Sequence, residues 1–511
     1  MYKPKFSAKY VKSLAMLSVA VSGHAATASE LNFTAVQAEQ FGVPGSLSNA
    51  WADYDNDGDM DFAISIKGGE VRLYRNDLGE FVSVGQAMGL PTQGDEIRGI
   101  SWGDYDGDGY VDLLGGSNVS PTPSRSYVFR NDKANQFVEV ADEIGLTIDG
   151  RWARQSNWVD FDNDGDLDLY AANRSGSNRL YVNTDGMFKP MSFQAGASDP
   201  RRTVGSCWFD MDHDGDLDIF LANQSGDSDA MWRNDITNFV DVAPELGMDE
   251  TLRDLSAGGV GCAVGDYDND GDFDLYVGTY GHNLLYRNDG KGQFTEVGET
   301  MGVVDPDHTV GAAWGDYNND GMLDLMVIGY YRNAEGQVPS NKLYLNNGNG
   351  FTNVLEAGSL LDAGDHGVTW VDYDNDGDID LSITDGYGPV AGHHLFRNEL
   401  TSMQRDRQLQ ILVLDSEGHF TQAGAEVRLY NSEGDLVGAR IVSTGGGYNA
   451  QDAIPVYFAY TDSGPVSVEV TFMGPNGGTV QRIDAVSLED YRSKALTVLR
   501  KTNNIAVVQN Q

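Results

Sequence analysis

From about residue 46 to residue 398 the chain repeats one pattern of apolar and polar positions. A short apolar run ends in a cluster of Asp, Asn and Gly, and a second apolar run follows, as in Phe62-Ala-Ile-Ser-Ile66. Then comes a Leu-Tyr-Arg-Asn-like segment: Leu73-Tyr-Arg-Asn76, Val128-Phe-Arg-Asn131, Leu180-Tyr-Val-Asn183, Met231-Trp-Arg-Asn234, Leu285-Tyr-Arg-Asn288, Leu343-Tyr-Leu-Asn346 and Leu395-Phe-Arg-Asn398. A Phe-x-x-Val segment closes the unit, as in Phe81 to Val84 and Phe137 to Val140. The runs are short, rich in β-branched and aromatic residues, and bounded by turn formers, so each predicts a strand. The strand before each polar cluster carries a Trp at one fixed position: Trp51, Trp102, Trp158, Trp208, Trp314 and Trp370, with Val264 in the fifth copy. Large aromatics repeated at one place predict packing between neighbouring sheets.

Four strands per unit, at intervals of 50 to 56 residues, predict propeller blades. The seventh unit lacks its Phe-x-x-Val strand, while Phe33-Thr-Ala-Val36 stands unattached ahead of the first unit. That strand can complete the seventh blade, which removes the exposed edges an open array would keep. The expected fold is therefore all-β: a seven-bladed β-propeller over residues 29–400, closed by an N-terminal strand. A small C-terminal β domain follows over 401–501, where Gln410 to Leu414 and Val466 to Phe472 alternate apolar and polar residues, and a flexible tail over 502–511. Residues 1–28 read as a secretory signal, with Lys3, Lys5, Lys9 and Lys12 ahead of a short apolar run and a small-x-small site at Ala26-Thr-Ala28. The protein is thus expected to be exported, to the periplasm or the outside, without a membrane span.

The net charge of −43 argues against a nucleic-acid partner, which needs a basic surface. Much of that charge lies in the polar clusters. Asp occupies positions 1, 3, 5, 7 and 9 of a nine-residue loop at Asp53, Asp55, Asp57, Asp59 and Asp61. The same set recurs at Asp160, Asp162, Asp164, Asp166 and Asp168; at Asp210, Asp212, Asp214, Asp216 and Asp218; at Asp266, Asp268, Asp270, Asp272 and Asp274; and at Asp372, Asp374, Asp376, Asp378 and Asp380. The second copy has Asp104, Asp106, Asp108, Tyr110 and Asp112, and the sixth Asp316, Asn318, Asp320, Met322 and Asp324. Gly holds position 6 throughout, as at Gly58. Converging carboxylates on a tight turn suit Ca²⁺, which takes six to eight oxygens, and position 7 can serve through its backbone carbonyl whatever its side chain. A hairpin turn alone needs one or two such residues, and clustered carboxylates without a cation repel. Up to seven calcium ions are expected, structural rather than catalytic. The loop is not of the helix–loop–helix type, which needs Glu at position 12, where Ile64 and its counterparts stand.

On these residues the chain resembles the FG-GAP/VCBS repeats of integrin α-subunit propellers. It is similar, more narrowly, to the cartilage acidic protein-like family, which joins such a propeller to an ASPIC/UnbV domain. Gly424-Ala-Glu-Val427, Arg440-Ile-Val442 and Gly446-Gly-Tyr-Asn-Ala-Gln451 carry that second resemblance. Phe458-Ala-Tyr-Thr461 stands where that family has a Phe-Gly-Leu-Gly-like turn. The resemblance implies an extracellular calcium-binding interaction protein without catalytic residues.

Loop lengths vary most on the side away from the Asp clusters: Ser117 to Ser126, Leu246 to Gly261, Tyr330 to Lys342 and Gly386 to His394. Long loops on a rigid scaffold are where recognition is usually found. Cations begin several inner strands on that side, and Arg98, Arg154, Arg202, His308 and His366 form the candidate ligand face. The alternative is that they only balance nearby acids. The expected function is a binding or adhesion module for a glycan or protein, not an enzyme. The rival is a polysaccharide lyase or hydrolase with its site at the same mouth. Cys207 and Cys262 lie on inner strands of adjacent units, offset by one residue, which places them on opposite strand faces and favours two free buried thiols over a disulfide.

Overall fold

The computed structural model describes residues 31–511 except 118–125, 147–152, 192–197, 237, 250–252, 306–307, 331–339, 387–391, 447, 475–476, 502–507 and 510–511. The expected signal segment and most of the long loops lie outside the described residues. From Asn32 onward the chain forms one compact unit. No helix among the described residues is long and apolar enough to cross a membrane.

Each of the first six repeats folds as four antiparallel strands of one sheet, in sequence order. Sheet one holds Ser46–Ala52, Asp61–Ile66, Glu70–Asp77 and Glu80–Ser83. Sheets two to six follow the same plan and are numbered here by repeat. In sheet seven, Val368–Val371, Asp380–Thr384 and His393–Asn398 take Phe33–Ala35 as their fourth strand, with Phe33 opposite Asn398. The N-terminal strand thus completes the last sheet, as its sequence suggests.

Burial falls from the first strand outward. Ser46–Ala52 and Asp61–Ile66 are buried at every position, Glu70–Asp77 alternates, and Glu80–Ser83 buries only Phe81. Inner strands covered on both faces account for their near-continuous apolar and small residues. The repeated Trp side chains join one sheet to the next. Trp102 Nε1 donates to the Ala50 carbonyl at 3.1 Å, Trp314 to Ala263 at 3.2 Å, Trp370 to Ala313 at 3.3 Å, and Trp51 to Ser382 Oγ of sheet seven at 3.0 Å.

A second link uses the Asn that ends each third strand. Asn131 Nδ2 donates to the carbonyl of Tyr54 in the preceding loop at 2.8 Å, and each later sheet repeats the bond as far as Asn398 to Tyr317 at 2.7 Å. Asn76 of sheet one makes the same bond to Tyr373 of loop seven at 2.7 Å. Every sheet among the described residues is itself open.

Cys207 and Cys262 are joined as a disulfide, with Cα atoms 6.1 Å apart. This corrects the expectation of free thiols. Stacked sheets meet by opposite faces, the upper side of one against the lower side of the next. An offset of one residue therefore turns the two side chains toward each other, not apart.

Residues after 400 form two further sheets. One runs Val456–Ala459, Gln408–Leu414, Leu496–Leu499 and Val508–Gln509; the other Leu436–Ile441, Glu426–Tyr430, Val466–Phe472 and Thr479–Val486. Ile411, Val427 and Val468 share one buried core with Leu73 and Trp102 of sheets one and two. This part lies against the Asp loops: Arg405 Nη1 reaches Asp376 at 2.6 Å, and the Gly477 amide donates to the Asp214 carbonyl at 2.7 Å. Its residues 444–446 and 448–451 lie among the first strands of the sheets. Asn157 Nδ2 donates to Thr444 O at 2.9 Å, Gln451 Nε2 to Trp102 O at 2.9 Å, and Ala450–Gln451 pairs parallel with Asn49 and Ala50 as a fifth strand of sheet one.

Candidate functional site

All seven Asp loops share one set of hydrogen bonds. The position 1 carboxylate accepts the amides of positions 5 and 6, as Asp53 does from Asp57 at 3.0 Å and Gly58 at 2.9 Å. The position 5 carboxylate accepts the amide of position 7, as Asp57 does from Asp59 at 3.0 Å. The position 9 carboxylate accepts the backbone amide of the third-strand Asn, as Asp61 does from Asn76 at 2.7 Å. Gly58 and its six counterparts all have φ between 89° and 102°, a conformation that a Cβ would strain. These bonds bend each loop so that its carboxylates converge. Ligand atoms of Asp53, Asp55 and Asp57 lie within 4.8 Å of one another, as do those of Asp104, Asp106 and Asp108, of Asp160, Asp162 and Asp168, and of Asp210, Asp212 and Asp218. Burial pushes the Asp53 carboxyl up to about 7 and Asp61 up to about 9, and the neighbouring carboxylates push in the same direction. Asp168 likewise rises to about 9, mainly through burial. In the sixth loop Asn318 keeps the turn by accepting the Asp320 amide at 2.9 Å. Side chains at position 7 turn to another task where they are Asp: Asp59 accepts the Leu78 amide at 2.9 Å and Asp378 the Leu400 amide at 3.0 Å.

Position 4 is a functional position that the loop pattern hides. It has φ between 53° and 63° in all seven copies, and five of the seven residues are Asn, which tolerates that region. Where Asn stands there, its side chain links the loop to the next: Asn56 donates to Gly109 O at 2.9 Å, Asn163 to Gly215 O at 3.3 Å, Asn269 to Gly321 O at 3.0 Å and Asn319 to Gly377 O at 2.8 Å. Asn375 of loop seven reaches Asp59 of loop one at 3.3 Å. The recurring Asn is a visible signal; its partner in the following repeat is not.

Away from the Asp loops, Arg98, Arg154 and His366 come together around Tyr448 of the threaded segment. Burial raises the Tyr448 hydroxyl, but the charges of Arg154, Arg98 and Arg174 outweigh it and hold the group below its usual range. The His366 ring stacks on Tyr448 with centroids 6.1 Å apart, and Tyr330 meets His366 edge-on at 5.3 Å. Tyr280 stacks on His308 at 4.6 Å and on Tyr330 at 6.3 Å. Acids hold part of this group: Glu96 lies 2.9 Å from Arg98 and Asp365 lies 2.5 Å from His366. Arg202 stays outside the cluster, with its guanidinium 2.8 Å from Asp227. Four of the five expected ligand-face residues therefore belong to one aromatic and cationic group. Tyr448 and Arg174 were not anticipated, because nothing local ties residue 448 to the first strands.

A family profile described as FG-GAP-like repeat matches residues 53–115, 160–221, 210–277 and 266–327. Four stretches of the chain are thus similar to the FG-GAP-like repeat. The fourth and fifth Asp loops fall where successive matches overlap. No curated protein matches the chain. Solved structures with similar folds include the BP39L lectin from Burkholderia pseudomallei, at 10% identity, 70% of this chain, 97% of that one and TM-score 0.47. Another is an Agrocybe aegerita lectin described as recognising non-reducing terminal N-acetylglucosamine, at 18% identity, 66% and 84% coverage and TM-score 0.38. A third is BBS1N in complex with ARL6DN, at 12% identity, 71% and 95% coverage and TM-score 0.45.

The donor set of the Asp loops fits a hard divalent cation. Position 3 decides this: Oδ1 of Asp55, Asp162, Asp212 and Asp374 is buried in each case without a hydrogen-bond partner. A buried carboxylate oxygen left unbonded is costly, and here it recurs at one place in four loops. Positions 1, 3, 5 and 9 would hold the ion through carboxylates, with the position 7 carbonyl completing an all-oxygen set.

Proposed function

We propose that this chain is an exported calcium-binding protein built as a closed seven-bladed β-propeller, with each of the seven sheets as one blade. It acts as a binding or adhesion module and not as an enzyme. The observation that carries the calcium assignment is the unbonded, buried position 3 oxygen recurring in loop after loop. The Asn76 to Tyr373 bond, which joins the first and last repeats just as their neighbours are joined, supports closure of the ring. The Cys207–Cys262 disulfide supports an oxidising compartment, in keeping with the secretory character of residues 1–28. The tail, read as an ASPIC/UnbV-like domain of the cartilage acidic protein-like family, covers the calcium side. Ligand recognition then belongs to the other mouth, where Arg98, Arg154 and Arg174 concentrate positive charge in a strongly acidic chain. An acidic glycan or an acidic protein surface fits that mouth, with carboxylate or sulfate groups meeting the half-buried Arg174 above the buried Arg98 and Arg154 and ring faces meeting Tyr280 and Tyr330.

Removing calcium tests the structural claim. At ten times its dissociation constant each ion contributes about 1.4 kcal/mol, so a chelator lowers the melting temperature sharply. A melting curve indifferent to the chelator overturns the assignment. A screen of acidic glycans and proteins, run with and without chelator, tests the binding role. The half-buried Arg174 is the residue to change: Arg174→Ala weakens capture of a bound acidic ligand, and unaltered capture removes the mouth from the proposal.

A further inference from the structure

Two loops lack Asn at position 4: loop two has Gly107, and loop four has His213, the one side chain there that can ligate a metal. In the loops that carry Asn before a loop in the next repeat, that side chain binds the following Gly carbonyl, as Asn163 binds Gly215 and Asn269 binds Gly321. The carbonyl facing loop four is that of Gly271, and it is already taken by Arg428 Nη2 of the C-terminal part at 3.0 Å. Position 4 is thereby released from its linking task. His213 Nε2 instead lies 3.0 Å from Asp272 Oδ1, which fixes the orientation of the ring. The other amino group of Arg428, Nη1, holds Glu426 Oε2 at 2.6 Å.

Glu426 is 2% exposed, and its second oxygen, Oε1, is buried without a hydrogen-bond partner. A ligand nitrogen of His213 and ligand oxygens of Asp210 and Glu426 all lie within 4.8 Å of one another. This group differs in kind from the Asp loops. It contains an imidazole, it draws one donor from the tail, and it shares only Asp210 with the oxygen set of loop four.

We propose that Asp210, His213 and Glu426 form a further metal site, for a divalent transition metal of zinc's character, that fastens the C-terminal part to loop four. The nitrogen donor sets the preference. Calcium takes oxygen ligands, whereas imidazole with carboxylates suits zinc and its neighbours. Asp272 against the ring supplies the outer carboxylate that commonly orients a metal-binding imidazole. Arg428 offsets one of the two carboxylate charges, so one divalent ion meets a modest local excess of negative charge. The site shares Asp210 with the calcium reading, but its other two donors, His213 and Glu426, lie outside the oxygen set of loop four.

The test uses the full chain without a histidine tag, in saturating calcium, with zinc titrated calorimetrically and retained zinc counted after dialysis. The expected result is one zinc per chain and a higher melting temperature. His213→Asn, the residue most other loops carry there, and Glu426→Gln each weaken zinc binding by at least about ten-fold and abolish the zinc-induced rise. Both keep the melting response to calcium. The proposal falls if the wild-type chain retains no zinc, or if His213→Asn retains as much as wild type. Should Glu426→Gln fail to fold, His213→Asn at its part-exposed position decides alone.

Discussion

At the scale of single residues, the molecule depends on side chains that serve two repeats at once. Asn288 is 1% exposed; its Nδ2 donates to Met211 O at 3.0 Å and Phe273 O at 3.3 Å, and its Oδ1 accepts the Gly290 amide at 3.1 Å. Asn288→Ala strands two buried carbonyls and a part-buried amide, and the expected loss is about 3 kcal/mol, read by urea denaturation at fixed calcium. His393 shows a different dependence. It stacks on Phe62 at 4.9 Å and meets Phe41 edge-on at 6.0 Å, and burial, reinforced by His394, pulls it down to about 3. Its unfolded value is about 6.5, so the unfolded chain binds a proton below that pH while the folded chain does not. Stability supplied by the neutral ring is therefore full above pH 6.5 and is lost as the pH falls toward 3. Between pH 7.5 and 5, wild type should lose about 2 kcal/mol more than His393→Gln, measured by parallel denaturation curves; equal losses would contradict the burial argument. The repeated Asp and Gly positions were readable from the sequence because the bonds that shape the turn, such as Asp53 to the Asp57 and Gly58 amides, lie within the nine-residue loop. The role of Asn288 was not, since Met211 is 77 residues away.

At the scale of elements, strand character and order were legible almost throughout. Period and composition mark the strands, and the missing fourth strand of the last repeat points to Phe33–Ala35. What misled was the relation between sheets. The one-residue offset of Cys207 and Cys262 argues against pairing within one sheet and for pairing across two. Their bond closes a loop of 55 residues, for which chain entropy gives about 4 kcal/mol. Cys207→Ser with Cys262→Ser should lose about that amount relative to the oxidised wild type, and a reductant should bring wild type to the level of the variant. Insensitivity to the reductant in denaturation curves would show that the bond adds nothing.

At the scale of the whole molecule, the C-terminal part was the least legible. Its alternating pattern announces β structure, but its place over the Asp loops depends on contacts hundreds of residues apart, such as Gln451 to Trp102. Because Ile411, Val427 and Val468 share a core with Leu73 and Trp102, ending the chain at residue 400 uncovers apolar surface on sheets one and two. The shortened chain should melt lower and bind a hydrophobic dye that the full chain ignores; an unchanged melting curve would mean that the shared core contributes nothing. The seventh sheet also imposes an order in time. Thr34 Oγ1 bonds Glu399 across 365 residues, so a strand synthesised ahead of all seven repeats is among the last to find its place. Contacts so distant along the chain slow folding. Until residues 393–398 exist, the opening strand has no partner sheet, and the nascent protein must wait with its final edge unsealed.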